Sequence, residues 1–396
     1  MRLFSKRIPL LFYVVLACVF AANMVGGSLL GLNVSGLAWF AALLFSVLVI
    51  LLRPGRVVFP VLLWLPWVLL LLINLLISDR SLLDPRVVPL QRTLQLLTPL
   101  VVAMAASTYR SSPGVVRECV DFLRYFSIVL FVGLIGGVYA LSAIGGSGYA
   151  ASAITCLLLA IVFINRYLIF RQARDIQIFL MLFVIPVLAV TRMVTLAMLL
   201  CVPLSFVKLG VAKRALFIGL FVVAGLVVFQ LPQIQNKMFF SGSGEITDLS
   251  LDNPDFATSG RSFIWSVLWG KAQQSPWFGH GTGAGETLTY SITPVGYPHN
   301  DWLLTFVDYG WLGVGVFLLC NILMMFRCLA ASKKTCEPET RFLFIAVASS
   351  FPLFFIVMFT DNIMVYASYF GILQYVLIGL AFGALKNEQA QVAHRA

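Results

Sequence analysis

Charged side chains are scarce in this chain. Asp, Glu, Lys and Arg make up 11% of 396 residues, against 60% hydrophobic and 13% aromatic. A soluble domain is typically about 25% charged, so the deficit excludes a water-soluble globular protein. It predicts instead an all-α, polytopic integral membrane protein. Acidic residues are the rarer sign, 16 against 27 Lys and Arg, for a net charge of +11. Nucleic acid is not the partner this implies, because the positive residues gather in short clusters between alternate apolar segments, as the positive-inside bias requires. Histidine occurs only three times, and no His, Cys or carboxylate cluster has the spacing of metal ligands. Neither a metal nor another cofactor is expected. Five of the seven cysteines (Cys18, Cys156, Cys201, Cys320, Cys328) fall within or at the ends of apolar segments, and Cys119 and Cys336 lie in basic connections. None lies in the long polar loop described below, so no disulfide is expected there. Internal repeats are lacking, and Ser241-Gly-Ser-Gly244 is the only short low-complexity tract.

What the chain has in abundance is apolar length. A helix needs about 20 residues to cross the ~30 Å hydrocarbon core. Twelve stretches are candidates, roughly 8–24, 28–52, 57–77, 88–108, 121–144, 150–165, 175–190, 193–207, 215–231, 302–326, 342–360 and 363–385. The start, Met1 to Arg7 and then an apolar run, has the charge pattern of a signal peptide. No clear small-residue cleavage site follows, so it reads as a retained first helix. With that basic start inside, 19 of the 27 Lys and Arg fall in inner connections or the termini. Both termini are then cytoplasmic. The expected organisation is nine helices over residues 1–231, an outer loop over 232–300, and three helices with a tail over 301–396. The loop carries Lys237, Arg261 and Lys271 against five carboxylates, a net charge of −2 that reverses the sign of the inner loops. It contains one helical stretch, Phe263 to Lys271. A loop of that length is usually functional or disordered.

The residues suited to chemistry gather on this outer side. His299 stands in Gly296-Tyr-Pro-His-Asn-Asp301, where the loop meets a span. Histidine is the side chain best fitted to move protons near neutral pH, and a neutral imidazole there would serve as a general base. A helix cap at the interface is the plainer alternative. Arg192 interrupts two apolar arms in Val190-Thr-Arg-Met-Val194. The fifteen residues from Ile176 to Val190 would rise only about 22 Å as a helix, so Arg192 is either sunk beneath the outer surface or snorkelling to headgroups. Arg261 lies in Ser259-Gly-Arg-Ser-Phe-Ile-Trp265. Its spacing from Trp265 puts both on one helix face, where the indole would brace the guanidinium. A guanidinium fork suits phosphate, and a positive charge at a helix start is otherwise mildly unfavourable. Gly279-His-Gly-Thr-Gly-Ala-Gly285 has the composition of a phosphate loop. It lacks the Lys-Ser/Thr of a P-loop and follows no strand, so its expected role is to bring Arg261 toward His299. Asp361 either orients His299 or Arg192 or caps the last helix. Arg80, Arg86 and Arg92 either hold lipid phosphates or anchor the interface.

Read in order, these pieces resemble the O-antigen ligase and polymerase superfamily. The resemblance rests on Thr191-Arg192 in a hairpin, Gly260-Arg-Ser-Phe-Ile-Trp265, Pro276-Trp-Phe-Gly279 with glycines at 281, 283 and 285, Pro298-His-Asn300, and Gly310 and Gly313. It implies an inner-membrane glycosyltransferase that moves glycan from undecaprenyl diphosphate to an acceptor on the periplasmic side. The ligase branch uses the lipid A–core oligosaccharide as acceptor. By the same resemblance His299, Arg261 and Arg192 are catalytic. Arg192, Arg261, Arg86, Arg92, Trp265 and Asp361 are then candidates for contact with diphosphate or glycan. Direct, metal-independent displacement with inversion fits, since no paired carboxylates of the retaining-glycosidase kind stand out. The nearest rivals are an O-antigen polymerase and a protein oligosaccharyltransferase, the latter often extending well beyond the last helix. A polysaccharide-lipid transporter is the rival of another class, but such carriers place ionisable groups deep in the bundle, where this chain has few.

Overall fold

The computed structural model describes residues 8–24, 28–29, 32–78, 83–142, 150–250, 253, 255, 257, 260–294, 296–364 and 366–395. The basic N-terminal residues, Arg80 and the turn expected at 145–149 lie outside them. Fifteen α-helices are present among the described residues: α1 Leu10–Met24, α2 Val34–Leu52, α3 Leu65–Ile77, α4 Pro89–Ser107, α5 Pro113–Ser142, α6 Ala150–Phe170, α7 Ala173–Leu188, α8 Arg192–Leu199, α9 Val211–Phe229, α10 Pro232–Met238, α11 Arg261–Ala272, α12 Ala284–Ile292, α13 Asp301–Ser332, α14 Pro338–Val357 and α15 Gly371–Arg395. The sole sheet described is a two-residue antiparallel pairing of β1, Ser28–Leu29, with β2, Leu32–Asn33, in register Leu29 to Leu32.

The helices are apolar on nearly every face, so burial rather than patterning sorts them. In α6 most of the stretch Ala151–Phe170 is buried, as is most of α14, whereas no residue of the apolar window in α9 is. α6 and α14 therefore form the centre, and α9 stands at the rim with its apolar surface uncovered. Around that centre α4 packs on α15 and α2, α7 on α6, and α13 on α14. Pro99, Pro186 and Pro352 are accommodated inside α4, α7 and α14.

Six of these helices are long and apolar enough to cross a membrane: α2, α5, α6, α9, α13 and α14. That makes the chain an all-helical, multi-pass membrane protein. A twelve-span topology requires the shorter helices to cross as well, and two expected spans differ in form. The stretch 193–207 is not one helix. α8 has eight residues, a rise of about 12 Å, and Pro203 follows, which cannot continue it. The stretch from 363 starts as turns, with α15 beginning only at Gly371. Those turns are buried in protein and anchored there: the Tyr369 hydroxyl donates to the Ala22 carbonyl (2.9 Å) and the Met364 amide to Asp301 (2.6 Å). Irregular backbone at such depth is tolerated only where protein satisfies it.

Candidate functional site

Three chain crossings build the site. The first is the hairpin between α7 and α8. The Thr191 amide donates to the Pro186 carbonyl (2.9 Å) and Val190 adopts φ +50°, a helix-ending pattern normally reserved for glycine. A β-branched residue there is strained. The second is the start of α13. Asn300 caps it by accepting the Leu303 amide (2.9 Å), and His299 just before it also takes a positive φ, +53°. Only one other non-glycine residue among those described, Arg171, does so. Strain of this kind clusters where function over-determines the backbone. The third is the α14–α15 connection, which carries Thr360, Asp361 and Asn362. Asp301 stitches the second crossing to the third. Its amide donates to the Met358 carbonyl (2.8 Å), and its carboxylate accepts the Met364 amide, on either side of Asp361.

That stitching brings the expected residues together. His299 Nδ1 stands 3.5 Å from Asp361 Oδ1 and 3.2 Å from Asn362 Nδ2. Asp361 Oδ1 also accepts the Asn362 amide (2.8 Å). Arg261 Nη1 donates to the Thr360 carbonyl (2.9 Å), the residue next to Asp361. Arg192 Nη1 reaches the Ala257 carbonyl at 3.4 Å. Burial pulls the Arg261 guanidinium below its ordinary pKa, and Asp361 partly restores it. His299 remains about one-third open, at 31% side-chain exposure, so its ring is held from one side and reachable from the other.

Trp265 makes a bond that its spacing did not suggest. Its indole N–H donates to the Pro298 carbonyl (2.8 Å), next to His299, so it fixes the histidine turn from α11. The glycine-rich run is likewise a docking device. Gly283 and Gly285 amides donate to the Asp308 carboxylate (3.1 and 2.7 Å), and the His280 amide to the Val307 carbonyl. A Cβ on Gly279 would collide with the Asp308 carbonyl oxygen. The run grips α13 where Gly310, at φ +65°, kinks it. No contact runs from the glycines to Arg261 or His299 among those described. The His280 ring pairs with the Lys271 carbonyl (2.8 Å), at the far end of α11.

Arg86 and Arg92 have partners of their own. Arg86 forms a bidentate pair with Asp84 (2.8 Å for both bonds) and lies over the Tyr290 ring at 3.9 Å. Arg92 is buried, 3.8 Å from Glu286 and 5.5 Å from the centre of the Tyr297 ring. Tyr297 in turn packs on Tyr366, with ring centroids 6.3 Å apart. Arg92 is thus held in the interior by Glu286 and Tyr297, and Arg86 stands at the surface.

Two features were not singled out from sequence. Lys237, at the end of α10, donates to the strained Val190 carbonyl (2.8 Å). Its pKa is depressed by burial and then by Arg192 and Arg261, with Asp361 opposing. Beside the cluster lies an open groove of about 790 Å³, walled by Trp269, Phe306, Trp311, Phe355 and Phe359. Ser262 and Asn300, the neighbours of Arg261 and His299, line it too. Among the described residues no group of three or more His, Cys, Asp and Glu stands close enough to hold a metal ion.

The fold and this cluster define a class: a multi-pass membrane protein with a histidine–carboxylate pair beside unneutralised cations and an apolar groove. A family model described as O-antigen ligase matches residues 177–318, from α7 through His299 to the kink of α13. Over that segment, about a third of the chain, the protein is similar to the O-antigen ligase family, in keeping with the resemblance carried by its motifs, and that similarity implies glycosyl transfer of the ligase or polymerase type. A search of curated proteins gave no match.

Proposed function

We propose that this chain is an O-antigen ligase, transferring O-antigen polysaccharide from undecaprenyl diphosphate to the lipid A–core oligosaccharide at the periplasmic face of the bacterial inner membrane. The observation that carries this reading is the approach of His299, held at Nδ1, and Arg261 to the Thr360–Asn362 turn, with Arg192 near enough for its charge to act on Arg261 and, among the described residues, main-chain carbonyls accepting from both guanidinium groups. The topology that goes with it has both termini cytoplasmic, nine helical segments over 1–231, the periplasmic loop 232–300 and a membrane-bound C-terminal part over 301–396.

The chemistry follows from the atoms. In this role Nδ1 carries the proton toward Asp361; the Asn362 amide, whose Nδ2 lies 3.2 Å from Nδ1, must then turn its unpartnered oxygen to the ring, and the Nε2 lone pair is left for the acceptor hydroxyl. The 3.5 Å contact is long for a hydrogen bond, but the carboxylate's charge acts at that distance. As the acceptor oxygen attacks the anomeric carbon, Nε2 takes its proton. The bond from that carbon to the diphosphate oxygen breaks with both electrons leaving on the oxygen. Arg192 and Arg261 stabilise the charge that develops there. One direct displacement inverts the anomeric centre, and the donor's own diphosphate linkage supplies the driving force. The groove beside Ser262 and Asn300 suits the polyprenyl chain, and Trp265 holds the histidine turn in register. Arg86 is available to lipid headgroups at the surface, and Arg92 acts as a support.

Lipopolysaccharide gels from a ligase-deficient strain test the reading, with wild type and His299→Ala at matched membrane levels. Wild type should restore the long ladder. His299→Ala should lose about 10²–10⁴-fold in transfer, the usual worth of a general base. A normal ladder from the variant would make His299 structural. Rescue of a polymerase-deficient strain by wild type, with no rescue of the ligase-deficient one, would replace this reading with the polymerase.

A further inference from the structure

Lys237 lies outside the resemblance that drew attention to Arg192, Arg261 and His299, yet it is laced into the same cluster. The lacing closes a ring. Lys237 Nζ donates to the Val190 carbonyl (2.8 Å), two residues before Arg192. Arg192 donates to the Ala257 carbonyl (3.4 Å), and the Ala257 amide donates to the Met238 carbonyl (2.7 Å), next to Lys237. Each cation is thereby fastened to the other's segment. α10 is itself pinned at both ends. Gln235 donates to the Phe229 carbonyl and accepts the Gly244 amide (2.8 Å each), and the Phe240 amide donates to the Asp255 carbonyl (2.9 Å). An ammonium on such a platform is positioned rather than free.

Charge accounting gives the platform a purpose. Arg192, Arg261 and Lys237 each donate to a carbonyl, and among the described residues none has a carboxylate within 4 Å. Asp361 is the one acidic neighbour that acts on Lys237, against two guanidinium groups. Three like charges held together are mutually repulsive. An arrangement of this kind is stabilised by an anion carrying more than one charge.

We infer that Lys237 is a third phosphate-binding residue, paired with Arg192 on one phosphate group of a lipid diphosphate while Arg261 holds the other beside His299. Resting on the reading above, this deepens it, because it makes the site select a diphosphate over a monophosphate. A plain structural role, in which Lys237 only straps the strained Val190 carbonyl, would affect both ligands alike.

The test is direct binding to the full-length protein in nanodiscs, with undecaprenyl diphosphate and undecaprenyl monophosphate as probes, for wild type, Lys237→Arg and Lys237→Met. Lys237 is exposed, and melting curves report whether each variant is folded. Wild type should prefer the diphosphate. Lys237→Met should weaken diphosphate binding about tenfold, the scale of one charge-assisted hydrogen bond, and leave the monophosphate nearly unchanged. Lys237→Arg should keep the preference. Equal losses for both probes, or none in Lys237→Met, would overturn the role of Lys237 while leaving the ligase reading intact. Failure of folded wild type to bind the diphosphate at all would count against the ligase reading itself.

Discussion

Two groups of arginines in this protein are buried or half-buried among helices, and they are treated in opposite ways. Arg166 is 1% exposed and stands 3.1 Å from Asp121, 3.8 Å from Asp175 and 3.9 Å from Glu339. Arg124 sits 3.0 Å from Asp175 and 3.3 Å from Asp121. Carboxylates from α5, α7 and α14 surround guanidinium groups from α5 and α6, so the charges tie four helices together. Among the described residues Arg192, Arg261 and Lys237 donate to carbonyl oxygens and have no carboxylate in ion-pair contact. A carbonyl satisfies the hydrogen bond without cancelling the charge. The first group is a closed network whose function is cohesion. In the second, no carboxylate is in ion-pair contact among the described residues, and on the proposed function the charge serves the donor. The difference teaches that the partners of an arginine, more than its burial, separate a structural role from a binding one.

The comparison is sharpened first by removing a ligand-facing cation. Arg261→Ala should lower transfer by about 10²–10³-fold, the range seen when one donor to a developing oxyanion is deleted, in a radiolabelled glycan transfer assay. Its melting midpoint should stay near that of wild type. The closed network should answer in reverse. Asp175→Ala leaves Arg124 and Arg166 without their buried partner, which typically costs about 3–5 kcal/mol. It should appear as a lower thermal midpoint in detergent with transfer per folded molecule preserved. The smallest effect is expected between the two regimes. Trp265→Phe keeps the ring but drops the bond to the Pro298 carbonyl, worth about 1 kcal/mol. Transfer should fall several-fold in kcat with little change in KM, read from initial rates over a donor titration.

Much of the site was legible in the sequence, and for identifiable reasons. Composition gave the membrane class because a bilayer leaves so few places for charge. His299, Arg192 and Arg261 stood out because polar residues are rare here and each sits at an apolar boundary. Asp361 was noticed with its role open, between orienting a side chain and capping a helix. Its 3.5 Å approach to His299 joins residues 62 apart in the chain, which no local pattern encodes. Lys237 was invisible for the same reason, since its partner Val190 is 47 positions away. The glycine run, expected to bring Arg261 toward His299, is bonded to α13, because glycine serves close packing as readily as flexibility. Here Gly279 yields to the backbone of Asp308. Span boundaries were the weakest reading. Apolar residues line a buried turn as well as a helix, so Pro203 and the turns before Gly371 hid inside uniform hydrophobicity.

The most direct measurement is single-turnover transfer in proteoliposomes, with Arg261→Ala and Arg166→Met compared at equal folded protein. If uncompensated cations hold the donor, Arg261→Ala loses transfer while its fold is intact, and Arg166→Met, once corrected for its folded fraction, transfers at the wild-type rate. Equal transfer by Arg261→Ala and wild type, or loss of transfer by folded Arg166→Met alone, would contradict the account.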